Sequence, residues 1–150
     1  MYGGGMKIRD ILNSKGSGFE SIAPDESIAV AIECLTEKKI GSLLVMKGDQ
    51  LVGIITDRDV FWKICRMGDK KFVGKVKDYM TEKLIIGVPD DEVETAMAYM
   101  TNNRFRHLPV LDDKKVVGVV SIGDIVKAQV HNLKIENRFL TDYITGKYPA

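Results

Sequence analysis

The chain has 150 residues and a net charge of +1, from 22 basic against 21 acidic side chains, enough for one compact domain or two small halves sharing a core. That balance argues against a nucleic-acid binder relying on bulk electrostatics, and no apolar run approaches the roughly 18 residues that span a bilayer. Cys34 and Cys65 form no CxxC pair, which speaks against a secreted disulfide framework and for a reducing cytoplasm, each thiol serving as a small buried hydrophobe.

Residues 1–6 read as a flexible Gly-rich leader, with Met6 as the natural first residue. A first unit over residues 7–67 opens on Lys7-Ile8-Arg9-Asp10 and crosses a Gly/Ser loop at Ser14–Gly18. A short extended segment precedes Pro24. Ile28, Ala31, Ile32 and Leu35 then lie at helical spacing, with Asp25 as the expected N-cap. Leu43–Val45 and Leu51–Ile55 predict two strands joined by the turn Lys47-Gly48-Asp49-Gln50. A second helix opens at Asp59, with Val60, Phe61, Ile64 and Cys65 as its expected buried face.

The same order returns over residues 75–131. Val93, Ala96, Met97 and Met100 repeat the helical stripe after Pro89, with Asp90 as the expected cap. Leu108–Val110 and Val116–Val120 repeat the strands, and Asp124 opens the last helix. The alignment holds at an offset of 65: Pro24-Asp25 falls on Pro89-Asp90, Val52-Gly53 on Val117-Gly118, Thr56 on Ser121 and Asp59 on Asp124. The opening Lys7–Asp10 matches Lys75–Asp78 at an offset of 68, so the Gly/Ser loop holds about three extra residues. Residues 132–150 fall outside the repeat. Ile135, Phe139, Leu140 and Tyr143 predict a C-terminal helix there, packing on the module or on a partner. The fold class is α+β (mixed α/β): two pseudo-symmetric β-α-β-β-α repeats packed as one module, plus that helix. One repeat of this length has too little core alone.

The segment GIITDRDV, residues 53–60, admits two readings. Thr56 with Asp59 three residues later, before an apolar run, is a capping box. A hydroxyl, a carboxylate and a helix N-terminus are also the parts of a nucleotide clamp, because an ionised carboxylate can accept both ribose O–H groups. Gly53 and Gly118, each inside a β-rich run, imply a close approach or a bulge.

The segments GSLLVMKGDQLVGIITDRDV and RHLPVLDDKKVVGVVSIGDIV, in register within one chain, resemble a tandem pair of CBS domains, the repeats named after cystathionine β-synthase. The resemblance covers about residues 7–130 and implies a stand-alone Bateman module. Such a module binds AMP, ADP, ATP, NAD or S-adenosylmethionine in clefts between the repeats and commonly forms a homodimer. It places Asp59, Asp124, Thr56 and Ser121 at ribose. It assigns phosphate to Arg58 and its counterpart Gly123, with Arg104, Arg106 and His107. It puts Ile40, Gly41, Phe105, Ile55 and Val120 around adenine. The Arg58/Gly123 difference makes the two clefts chemically unequal.

The leading function is a regulatory adenine-nucleotide sensor that signals through dimer geometry or to a protein partner in trans. The alternative is a ligand-independent dimerisation protein with vestigial clefts. An enzyme is the least supported reading. No P-loop, G-x-G-x-x-G or Cys/His metal spacing is present, so no metal site, membrane or nucleic-acid partner is expected.

Overall fold

In a computed structural model, residues 5–16, 18–67 and 72–144 are described. Most of the expected leader, Ser17 of the Gly/Ser loop, the end of the tail and the side chains of Phe139, Leu140 and Tyr143 lie outside the described residues. The elements are α1 (Ile8–Lys15), β1 (Ser21–Ile22), α2 (Ile28–Lys38), β2 (Ser42–Lys47), β3 (Gln50–Thr56) and α3 (Asp57–Met67) in the first half. A 3-10 turn at Val76–Asp78 leads to α4 (Val93–Asn103), β4 (His107–Asp112), β5 (Lys115–Ser121) and α5 (Ile122–Ile144). The mixed α+β architecture and the paired strands stand where the sequence places them.

In the first half β1 runs parallel to β2, and β2 antiparallel to β3. The second half has only the antiparallel pair β4–β5, plus a single parallel bridge from Gly87 to Val110. The missing ladder has a covalent cause. In the first half the Leu44 N–H donates to the Glu20 carbonyl at 3.1 Å. Its counterpart, 65 residues on, is Pro109, which has no N–H to donate. Both hairpins carry a bulge at the same place, after Val45 and after Val110.

Each half completes the other's core. Ile8 and Ile11 of α1 pack with Val93, Met100 and Leu108 of the second half. Val76 and Tyr79, at the start of the second repeat, pack with Ile28, Leu43 and Ile55 of the first. Backbone bonds seal both exchanges. Ile8 and Arg9 donate to the Asp91 and Pro89 carbonyls at 2.9 and 3.0 Å; Val76 and Lys77 donate to those of Glu26 and Pro24 at 2.9 and 3.0 Å.

This exchange corrects the expected caps. Asp25 and Asp90 are not N-caps: Ser27 and Glu92 are, and only Ser27 makes a side-chain cap bond, from the Ala29 N–H at 3.2 Å. The next N–H groups, Ile28 and Val93, donate instead to the Gly74 and Met6 carbonyls across the exchange. That leaves Asp25 to pair with Lys77 at 3.1 Å, and Asp90 to pair with Arg9. The bond and charge of Lys77, helped by Lys75, hold the Asp25 carboxyl below its ordinary value.

Other differences are local. Ser14 and Lys15 belong to α1, so the Gly/Ser loop is shorter than expected. The expected C-terminal helix is the far end of α5, with no break between them. On α3 Val60 is buried, but Phe61 is 63% exposed and Cys65 is also exposed. The α3 surface thus presents apolar groups that the core does not take. Among the described residues, no helix is long and apolar enough to cross a membrane.

The paired glycines mark the closest approaches. A Cβ on Gly53 would lie 2.7 Å from Met80 Sδ and 3.0 Å from the Thr81 carbonyl, whereas one on Gly118 would lie 2.7 Å from Leu12 Cδ2 and no nearer than 3.9 Å to backbone. Thr81 is fixed by two backbone bonds to Ile54 and cannot retreat, while the Leu12 methyl can rotate away. Gly53→Ala is therefore expected to destabilise the fold by about 1–3 kcal/mol, and Gly118→Ala by less, in urea titrations of both variants.

Candidate functional site

The two strand-to-helix junctions are built alike. The Asp59 N–H donates to Thr56 Oγ1 at 3.0 Å, and the Thr56 N–H donates to Asp59 Oδ2 at 3.1 Å. Asp124 and Ser121 repeat this at 3.0 and 2.9 Å. Both are complete capping boxes, so the cap half of the question raised by GIITDRDV is answered in both copies. Capping engages Oδ2 of each carboxylate. A carboxylate has about four acceptor sites, so the remainder can serve a ligand.

The exchange of leading segments gives each junction a cleft. The first has a volume of about 490 Å³. It gathers Thr56, Arg58 and Asp59 from one repeat and Arg104, Phe105, Arg106 and His107 from the other. Thr81 and Lys83, on the leading segment of the second repeat, also line it, and the Thr81 hydroxyl donates weakly to Asp59 Oδ1 at 3.3 Å. The second cleft, about 660 Å³, sets Ser121 and Asp124 opposite Lys39, Ile40, Gly41 and Ser42. Both volumes suit a nucleotide-sized ligand.

Three of the sequence-selected residues do not reach a cleft. Ile55 and Val120 are fully buried in the two cores. Strand side chains alternate, so it is their neighbours Ile54 and Val119 that face the clefts. Gly123 borders a shallow groove on α5 and lines neither cleft. Conversely, the sequence reading missed Thr81, Lys83 and Lys15. Lys15 and Lys83 are themselves related by the 68-residue offset of the opening match, which was the available signal.

Backbone strain points at the same places. Lys39 and Arg104 both end their helices in the left-handed region, at φ of 53° and 56°. A non-glycine residue there costs of order 1–3 kcal/mol, yet both copies keep a cation, and each lines a cleft. The clefts differ in charge. Arg58, Lys83, Arg104 and Arg106 face the first, with Asp57 and Asp59. In the second, Lys15 Nζ donates to Asp124 Oδ2 and to the Val119 carbonyl, both at 2.8 Å. Burial pushes the Asp124 carboxyl up. The Lys15 bond, the Ser121 N–H and the Lys15 charge outweigh it, leaving the group below its ordinary value. Among the described residues no group of three or more His, Cys, Asp or Glu is placed to hold a metal ion.

His107 stands between the clefts and lines both. Its ring closes on Gly41, where a Cβ would lie 3.0 Å from Nε2. Burial lowers its pKa; Asp57 and Asp124 pull it back only in part, while Lys15 and Arg106 add to the lowering. The unfolded chain, near the free value of about 6.5, then binds protons more readily than the folded one. Stability contributed by neutral His107 is complete above that value and declines as pH falls through it. In denaturation between pH 7 and 5, His107→Gln is expected to lose less stability than the wild type.

A family profile described as CBS domain matches residues 8–65 and again 76–131. The Arabidopsis thaliana protein named CBS domain-containing protein CBSX3, mitochondrial, is 42% identical over 150 residues, covering 94% of this chain and 73% of its own. A CBS-domain protein structure from Agrobacterium tumefaciens superposes with a TM-score of 0.79 at 32% identity, over 83% of this chain and 99% of that one. The structure of CBSX2 in complex with AMP superposes with a TM-score of 0.71 at 28% identity, over 85% and 98%. The chain belongs to the CBS domain family, with two of its repeats in tandem.

Proposed function

We propose that this protein is a regulatory sensor of adenine nucleotides and that the first cleft is its binding site. One observation carries the reading: Asp59 lies in a single cavity with Arg58, Lys83, Arg104 and Arg106, contributed by both repeats. Asp59 takes the ribose hydroxyls through the acceptor capacity its cap leaves free. The four cations take phosphate. Phe105 and Ile54 offer apolar surface to adenine. This charge favours the phosphorylated candidates AMP, ADP, ATP and NAD over the cationic S-adenosylmethionine. The AMP held by CBSX2, a protein of the same architecture, supports the choice.

A ligand gripped by both repeats has different affinities for different repeat arrangements, which is the condition for it to shift their equilibrium. The output is read by a homodimer or by a partner in trans. Phe61 and Trp62 on α3 are 63% and 51% exposed, and Val126 and Val130 on α5 are 50% and 44% exposed, so these faces supply apolar dimer surface. The same faces favour the second reading, dimerisation without ligand. The role is binding without turnover, and the free thiols Cys34 and Cys65 fit a reducing compartment such as the cytoplasm.

Calorimetric titration with AMP, ADP, ATP, NAD and S-adenosylmethionine tests the proposal. At least one phosphorylated ligand is expected to bind. Asp59→Asn, which keeps an oxygen for the cap but removes the charge, is expected to weaken it about tenfold or more. Heatless titrations and an unshifted melting temperature at millimolar concentration of all five would leave dimerisation as the function.

A further inference from the structure

We infer that Lys15 is an internal competitor for ribose that keeps the second cleft closed to nucleotide, an inference that rests on the proposed function above. The two junctions share their capping geometry, so capping cannot make their carboxylates differ. The second cleft is also no smaller, at about 660 against 490 Å³, so volume cannot exclude a ligand from it. What differs is the occupant of the carboxylate. Among the described residues, Asp59 meets beyond its cap only a neutral hydroxyl, that of Thr81, at 3.3 Å. Asp124 meets an ammonium at 2.8 Å, and the same ammonium is held by the Val119 carbonyl on the cleft wall.

The lysine is delivered by a rigid element. Lys15 is the last residue of α1. Ile8 and Ile11 of that helix are buried among the second repeat's core residues, and Leu12 packs against Gly118. A ribose that engages both oxygens of Asp124 meets Lys15 on Oδ2 and must displace it from two bonds already in place. Lys83, related to Lys15 by the 68-residue offset, lines the first cleft but is not bonded to Asp59. The same position of the repeat therefore serves a ligand in one cleft and replaces it in the other.

Two-site calorimetry with AMP on the full chain tests this, comparing wild type with Lys15→Met and Lys15→Gln. One charged hydrogen bond corresponds to about tenfold in affinity or more. The wild type is expected to bind one AMP per chain, with any second site at least about tenfold weaker. In either variant the second site should tighten by about tenfold or more, and Asp124→Asn added to that variant should abolish the gain. Two equal sites in the wild type would overturn the inference and leave the proposed function standing. So would a second site that is unchanged or weakened in a variant of unaltered circular dichroism, the weakened case making Lys15 a phosphate ligand. Absence of any AMP binding in the wild type, with a second site also absent in both variants, would overturn the inference and count against AMP in the proposed function. If both variants fail to fold, the wild-type stoichiometry decides: one site supports the inference and two equal sites overturn it.

Discussion

The reciprocal exchange of leading segments is the constraint on which the rest of this structure depends. Ile8 and Ile11 leave the first repeat to fill the second core, and Val76 and Tyr79 leave the second to fill the first. Each repeat buries its helix-on-sheet face partly with side chains of the other, so the two cores are completed together. The exchange also satisfies backbone groups that would otherwise be orphaned. Ile28 and Val93, at the starts of α2 and α4, donate across it to Gly74 and Met6.

The clefts follow from the same crossing. A segment that leaves one core for the other must pass over a strand-to-helix junction. The end of α1 reaches the Ser121–Asp124 junction and brings Lys15 to it. After the 3-10 turn the chain passes the Thr56–Asp59 junction and brings Thr81 and Lys83. Two junctions built alike thus acquire different chemistry from the segments that cross to them. His107, lining both cavities, gives them a shared wall.

Much of this was legible in the sequence. The helical stripe Ile28, Ala31 and Leu35 and its echo Val93, Ala96 and Met100 are buried as their spacing requires. The Thr56-x-x-Asp59 and Ser121-x-x-Asp124 boxes are local, and local hydrogen bonding is what a short motif encodes. What was not legible is non-local. Asp25 and Asp90 have the right chemistry for caps, but those helices take their first bonds from the opposite half of the chain. The lost strand before α4 depends on one proline, Pro109, on the partner strand. Ile55 and Val120 miss the clefts by one residue of strand alternation, the error that period-2 geometry makes easiest. The exposure of Phe61 and Cys65 reflects a surface that periodicity alone assigns to the core.

The central claim is that two junctions with one capping geometry are unequal as nucleotide sites. A difference electron-density map from crystals grown with AMP tests it most directly. The account predicts a ribose on Asp59 with its phosphate among Arg58, Lys83, Arg104 and Arg106, and Lys15 still on Asp124. A nucleotide whose ribose sits on Asp124, with Lys15 turned away and the first cleft empty, would contradict it.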